Sequence, residues 1–186
     1  MIDDRLRRRV LWSMPTGLYL IGSRAVVDGE DRVNLMTANL VVQVAVEPKL
    51  VGVAVERDAL TAQLITHGGA FSVCFVARED RPLVRRFVKP VGTVDRDGDA
   101  NPVTMAGEPV TTKQTGAPIV CRSPAWLDCS LRQQLDLGSH RFFVGEVVAV
   151  GGPGAGGAGD VHDARSSVED WFEPLRMEDT RMNYGG

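Results

Sequence analysis

The chain has 186 residues, 44% of them apolar and 24% charged, with a net charge of -3. That is the composition of one globular domain, long enough to bury a core without disulfides or structural metal. The acidic balance argues against a nucleic-acid-binding surface, and the three cysteines, Cys74, Cys121 and Cys129, include no Cys-x-x-Cys pair, which argues against zinc and against a secreted disulfide scaffold.

Asp3 to Met14 reads as a short helix, with acids at its start to suit the helix dipole and Pro15 to stop it. The basic run Arg5, Arg7, Arg8 and Arg9 reads as its solvated face. Leu11 to Met14 is too short for the apolar core of a signal peptide, and no stretch approaches the roughly 20 apolar residues of a membrane span. The expectation is a soluble, cytoplasmic protein.

Leu18 to Val27 is β-prone, Asp28-Gly29 supplies a turn, and Val33 resumes the β pattern. From Leu35 to Val55 the chain is almost continuously β-prone, with a strand break at Glu47-Pro48-Lys49, because proline cannot donate to a ladder. Asp58 is the expected N-cap of a helix over Ala59 to His67, ended by Gly68-Gly69. His67 there suits the helix dipole. Phe71 to Val76 returns to strand, and Pro82 to Phe87 reads as another short helix.

Residues 89 to 118 are polar, with scattered Gly and Pro, and are expected to form a long loop of the kind that walls a site. Ile119 to Leu137 holds one or two strands, Gly138-Ser139-His140 a turn, and Arg141 to Val150 a further strand. The Gly-rich segment from Gly151 into residue 167 is expected to be flexible, since neither a lysine nor a clean helix start follows it as a phosphate loop requires. Many short strands with few helices point to an antiparallel barrel rather than a doubly wound parallel sheet.

Two segments carry candidate chemistry. Asn34, Thr37, Asn39 and Gln43 are polar residues inside an apolar β run. An unpaired buried polar group costs about 1–3 kcal/mol, so these side chains have partners or face a wet site. In Glu56-Arg57-Asp58-Ala59-Leu60-Thr61 a strand ends, an arginine appears and a helix starts. Free N–H groups at the helix start, the Arg57 charge and the Thr61 hydroxyl make a plausible phosphate seat. His140 reads equally well as a site residue or a surface turn, and Cys74 as a buried thiol among apolar neighbours.

The ordered set Asn34-x-Met36-Thr37-Ala38-Asn39, Gln43-Val44, Pro48, Val53 to Arg57, Thr61-x-x-Leu64-Ile65 and Gly69-x-Phe71-Ser72-Val73 resembles the flavin reductase-like family. Gly138-Ser139-His140 and Phe143 to Val147 are similar to its second signature, and the tail from Leu175 is similar to the flavoredoxin-type branch. The resemblance implies a mainly β fold, a six-stranded antiparallel FMN-binding split β-barrel with short flanking helices, working as a homodimer with FMN near the subunit interface. It implies that Met36, Thr37, Ala38 and Asn39 cradle the ribityl chain and phosphate. It puts Gln43, Val44 and Ala45 beside the isoalloxazine, makes Glu56, Arg57 and Thr61 the second phosphate-contacting stretch, and makes His140 the residue facing flavin and nicotinamide. The activity implied is flavin reduction by NADH or NADPH, with a monooxygenase or another electron-acceptor protein as partner. A flavoredoxin-like electron carrier is the alternative. Ser139 stands where many relatives have aspartate.

Overall fold

The computed structural model describes residues 3–153 and 171–180. Expectations for residues 154–167 and for the last six residues therefore lie outside the described residues. Helix α1 spans Asp4–Trp12, and Asp3 caps it by accepting from the N–H groups of Arg5 and Leu6. Strand β1 (Tyr19–Val27) turns at Asp28-Gly29 into β2 (Glu30–Ala38), followed by β3 (Val41–Ala45) and β4 (Leu50–Glu56). Helix α2 (Leu60–Gly68), strand β5 (Ala70–Phe75) and helix α3 (Arg81–Arg86) come next. Four short strands follow: β6 (Val94–Arg96), β7 (Pro102–Met105), β8 (Glu108–Thr112) and β9 (Pro118–Val120). A long hairpin, β10 (Trp126–Asp136) and β11 (His140–Gly151), completes the strands among the described residues.

The main sheet is antiparallel, with seven strands in the order β2-β1-β5-β10-β11-β4-β3. Its two outermost strands, β2 and β3, are consecutive in the chain and joined by only Asn39 and Leu40. The sheet must therefore curl until its edges meet at one end, which makes it a barrel split along that seam. The expected six strands become seven because the run from Leu35 to Val55 breaks twice: at Pro48, as expected, and also at Asn39-Leu40, where the chain passes from one edge to the other.

Side chains alternate across a strand, so neighbours on β1 enter different cores. Ile21 lies opposite Val73 and joins Val53, Val55, Phe71, Cys129 and Phe143 inside the barrel, with Ala62 and Ile65 of α2 packed among them. Leu20 lies opposite Cys74 and faces the other way, toward Leu83, Val84, Phe87, Met105 and Ile119. Both faces of β1 and β5 are thus covered, each buried Leu, Ile, Val or Phe side chain contributing about 1.5–3 kcal/mol.

The second core explains a correction. The expected loop over 89–118 carries β6, β7 and β8, which with β9 form a four-stranded sheet. Its apolar residues Met105 and Val110 pack on the outside of the barrel. Buried Glu108 pins it to the rest of the molecule through Arg86 and Arg122.

Two boundaries also move. Ala59, not Asp58, is the N-cap of α2, and no side chain caps that end. His140 is the first residue of β11 rather than the end of the turn, because it enters the ladder opposite Glu56. The three cysteines are free, with Cys74 and Cys129 buried and Cys121 exposed. Burial pushes the Cys74 thiol up to about 11 and the Cys129 thiol up to about 12, the latter aided by Asp128, so both stay protonated near neutrality.

Candidate functional site

A cleft of about 1100 Å³ lies along the split of the barrel. One wall is the end of β2 and its link, Met36 to Leu40; the facing wall is Ala54 to Glu56 at the end of β4. The start of α2 (Ala59, Leu60 and Thr61) closes one side, and the segment Val88-Lys89-Pro90 after α3 closes another. His140 stands at the rim, as do Arg8 and Trp12 of α1 and Arg176 of the C-terminal segment.

Buried hydrogen bonds hold these walls at fixed spacing. Asn34 Nδ2 donates to Thr61 Oγ1 over 2.9 Å, and Asn34 Oδ1 accepts from the Val91 N–H over 3.0 Å. One side chain thus ties β2, the first turn of α2 and the 88–91 segment together. The Thr37 hydroxyl donates to the Val84 carbonyl over 2.6 Å, and the Thr37 N–H donates to the Phe87 carbonyl over 2.9 Å, which ties β2 to α3. Thr37 and Thr61 are almost wholly buried, so their hydroxyls serve the frame of the cleft. The C-terminal segment is held in turn: the Leu18 N–H donates to the Leu175 carbonyl and the Met177 N–H to the Thr16 carbonyl, both over 2.9 Å.

Of the residues expected from sequence, the cleft gathers Met36, Thr37, Ala38, Asn39, Glu56, Thr61 and His140. Gln43, Val44 and Ala45 do not line it; they lie on the exposed edge strand β3, where Gln43 Nε2 donates to the Ala45 carbonyl. Arg57 does not line it either. Its guanidinium is 2.5 Å from Asp136 at the end of β10. The residues missed are Lys89-Pro90, the α1 residues and Arg176. Leu11, Trp12 and Met14, apolar and clustered before Pro15, were the one signal that α1 is more than a solvated helix. Arg8, on the solvated helix face expected of it, bridges to Asp4 and also lines the cleft.

His140 lies opposite Glu56 in the β4–β11 ladder, and its Nδ1 is 2.9 Å from the Ser139 hydroxyl. His67, by contrast, is at the far end of α2 with its Nδ1 2.8 Å from the Gln63 carbonyl, the helix-end role expected of it. Among the described residues, no cluster of His, Cys, Asp and Glu could hold a metal ion.

A flavin nucleotide fits these walls. The N–H groups at the start of α2 lack a side-chain cap and face a cleft that Lys89, Arg8 and Arg176 also line, a suitable seat for phosphate. Met36, Leu40, Ala54 and Leu60 supply apolar surface for a ring system.

The curled antiparallel sheet, with its cleft along the seam, defines a fold of the split-barrel class. The chain belongs to the flavin reductase like domain family, whose model matches residues 11–171. It is 29% identical over 149 residues to an NADH-dependent FAD reductase of Streptomyces globisporus, covering 78% of this chain and 75% of that one. Among solved structures it is similar to the NADH:FAD oxidoreductase of the same organism in complex with NAD and FAD fragments, at 26% identity and a TM-score of 0.63, covering 81% and 85% of the two chains. It is also similar to an FMN-binding protein of Thermus thermophilus with bound p-hydroxybenzaldehyde, at 26% identity and a TM-score of 0.63, covering 77% and 75%.

Proposed function

We propose that this chain is an NAD(P)H-dependent flavin reductase that takes FMN in the split of its barrel, acts as a cytoplasmic homodimer and passes reduced flavin to a monooxygenase. The observation that carries the reading is the meeting, in one cleft, of an uncapped helix start, cationic side chains and a histidine at the rim. The similarity to an NADH-dependent FAD reductase supports the choice of reductant, and the similarity to an FMN-binding protein supports the choice of flavin.

A bound flavin supplies the hydride-accepting ring, so the protein's work is binding, orientation and exclusion of water. The N–H groups opening α2 and the Lys89 ammonium hold the phosphate. The backbone from Met36 to Asn39, fixed by the hydrogen bonds of Asn34 and Thr37, would hold the ribityl chain. Glu56 flanks His140, and His140 orients the nicotinamide carboxamide at the rim. Trp12 and Arg176 line the outer end of the cleft.

The homodimer draws support from β3. Leu40, Val42, Val44 and Val46 alternate along this edge and are 44%, 55%, 43% and 75% exposed. A bare apolar edge strand invites pairing, and a second copy packed there would bring Gln43, Val44 and Ala45 toward a flavin at the interface.

His140→Ala tests the assignment of the rim. Removal of an orienting group at a hydride-transfer site is expected to slow flavin reduction about tenfold, or about 1.4 kcal/mol of barrier, with little change in FMN affinity. Stopped-flow reduction by NADH and by NADPH reads the first quantity and fluorescence titration the second. Unchanged rate and affinity would remove His140 from the site.

A further inference from the structure

The pair formed by Arg57 and Asp136 stands outside the cleft, and no part of the proposed reaction uses it. We infer that Arg57 and Asp136 form a latch that positions His140 at the rim of the cleft, an inference that rests on the proposed reductase reading. His140 follows directly on the turn of the long β10–β11 hairpin, at Leu137-Gly138-Ser139. That turn is exposed, and exposed loop tips open at little free-energy cost unless something ties them down.

The turn has its own internal order. Gly138 adopts a φ of +86°, a conformation that favours glycine. The Leu137 N–H donates to the His140 carbonyl over 2.8 Å, and the Gly138 N–H donates to Asp136 Oδ1 over 3.0 Å. Arg57 then grips this unit at both ends. Its backbone N–H donates to the Ser139 carbonyl over 3.0 Å, and its guanidinium donates to Asp136 Oδ1 over 2.5 Å.

Arg57 directly follows Glu56, the ladder partner of His140. One residue therefore fixes the turn to the same strand end that faces the histidine across the sheet. The Asp136 carboxyl is held below the usual carboxylate range, first by the Gly138 N–H, against an opposing effect of burial, with Arg57 and the Arg141 charge adding to the lowering. Both are positioning residues, since neither lines the cleft. A phosphate role for Arg57 would require its guanidinium to leave a carboxylate that it already meets at hydrogen-bond distance.

The pair is about half exposed on both sides, at 44% and 52%. Exposed ion pairs contribute little to global stability, so single variants fold. The test compares Arg57→Ala, Arg57→Lys, Asp136→Asn and the charge exchange Arg57→Asp/Asp136→Arg in the full chain. Amide hydrogen exchange without flavin reads the turn. FMN and riboflavin titrations read binding, and kcat and KM for NADH read the reaction.

In Arg57→Ala and Asp136→Asn the amides of Leu137 and Gly138 should exchange about tenfold faster. kcat should fall on the order of tenfold from misplacement of the histidine. FMN affinity should stay within about twofold, as expected of residues that do not touch the ligand. Arg57→Lys and the charge exchange should each recover part of both losses. The latch is overturned if Arg57→Ala weakens FMN far more than riboflavin while Asp136→Asn does not, which would make Arg57 a phosphate ligand. It is overturned equally if exchange quickens and kcat holds. A wild-type protein that reduces no flavin contradicts the reductase reading instead, and the exchange data then decide the latch alone.

Discussion

Asn34 shows how one buried side chain sets the width of the site. Its amide group serves Thr61 on one side and the Val91 N–H on the other. Replacement by leucine leaves both without that partner, at about 1–3 kcal/mol each. Asn34→Leu should therefore lose about 2–6 kcal/mol in urea unfolding and bind flavin less tightly; a loss near zero would mean the two groups find other partners. Asp31 offers a test by pH. Burial acts to raise its pKa, but hydrogen bonds and charge from Arg24 and Arg96 outweigh burial and hold it below 3.8. A carboxyl depressed in the folded state stabilises above its unfolded value and loses that contribution as pH falls through the folded value. Asp31→Asn should therefore be less stable than wild type at pH 7, with the gap closing below about pH 4. A gap that stays constant across that range would contradict the assignment. At this scale the sequence reveals that Asn34 and Thr37 are polar where the chain is apolar, hence partnered or wet. It cannot reveal that their partners are Thr61 and Val84, because those contacts exist only once α2 and α3 have docked.

Among the elements, β1 is closely approached by neighbouring backbone at Gly22. A Cβ on Gly22 would lie 2.0 Å from the Pro118 carbonyl oxygen and 2.3 Å from the Ser72 hydroxyl. The first is backbone of the β8–β9 region and cannot swing aside. Gly22→Ala should push the small sheet off the barrel and lower stability by about 1–3 kcal/mol, the usual range for overpacking. For a chain of this size each kcal/mol lowers Tm by about 2–4 °C, so a thermal melt reads it, and an unchanged Tm would refute the contact. Strands β1, β4 and β5 and helix α2 were legible because their apolar residues run unbroken or fall on one face. Strands β6 to β8 were not. They are short, carry Asp, Arg, Thr and Pro, and have one face to solvent, so their pattern is that of a loop until the outer face of the barrel is there to receive Met105 and Val110. The break at Asn39-Leu40 was hidden for a related reason: both flanks are β-prone, and only curling of the sheet puts them on opposite edges.

For the molecule as a whole, the proposed homodimer rests on the exposed apolar residues along β3. If a second copy covers Val42 and Val44, sedimentation equilibrium at micromolar concentration should give twice the chain mass, and Val42→Lys with Val44→Lys should give monomer with weakened FMN binding. A wild-type monomer that holds FMN stoichiometrically would contradict the homodimer. Steady-state NADH oxidation with and without added flavin decides whether the chain is a reductase. The purified protein should consume NADH at a rate that rises with added FMN or FAD and saturates. A protein that binds flavin in the cleft yet leaves NADH unoxidised at every flavin concentration would contradict it, and would make the chain an electron carrier rather than a reductase.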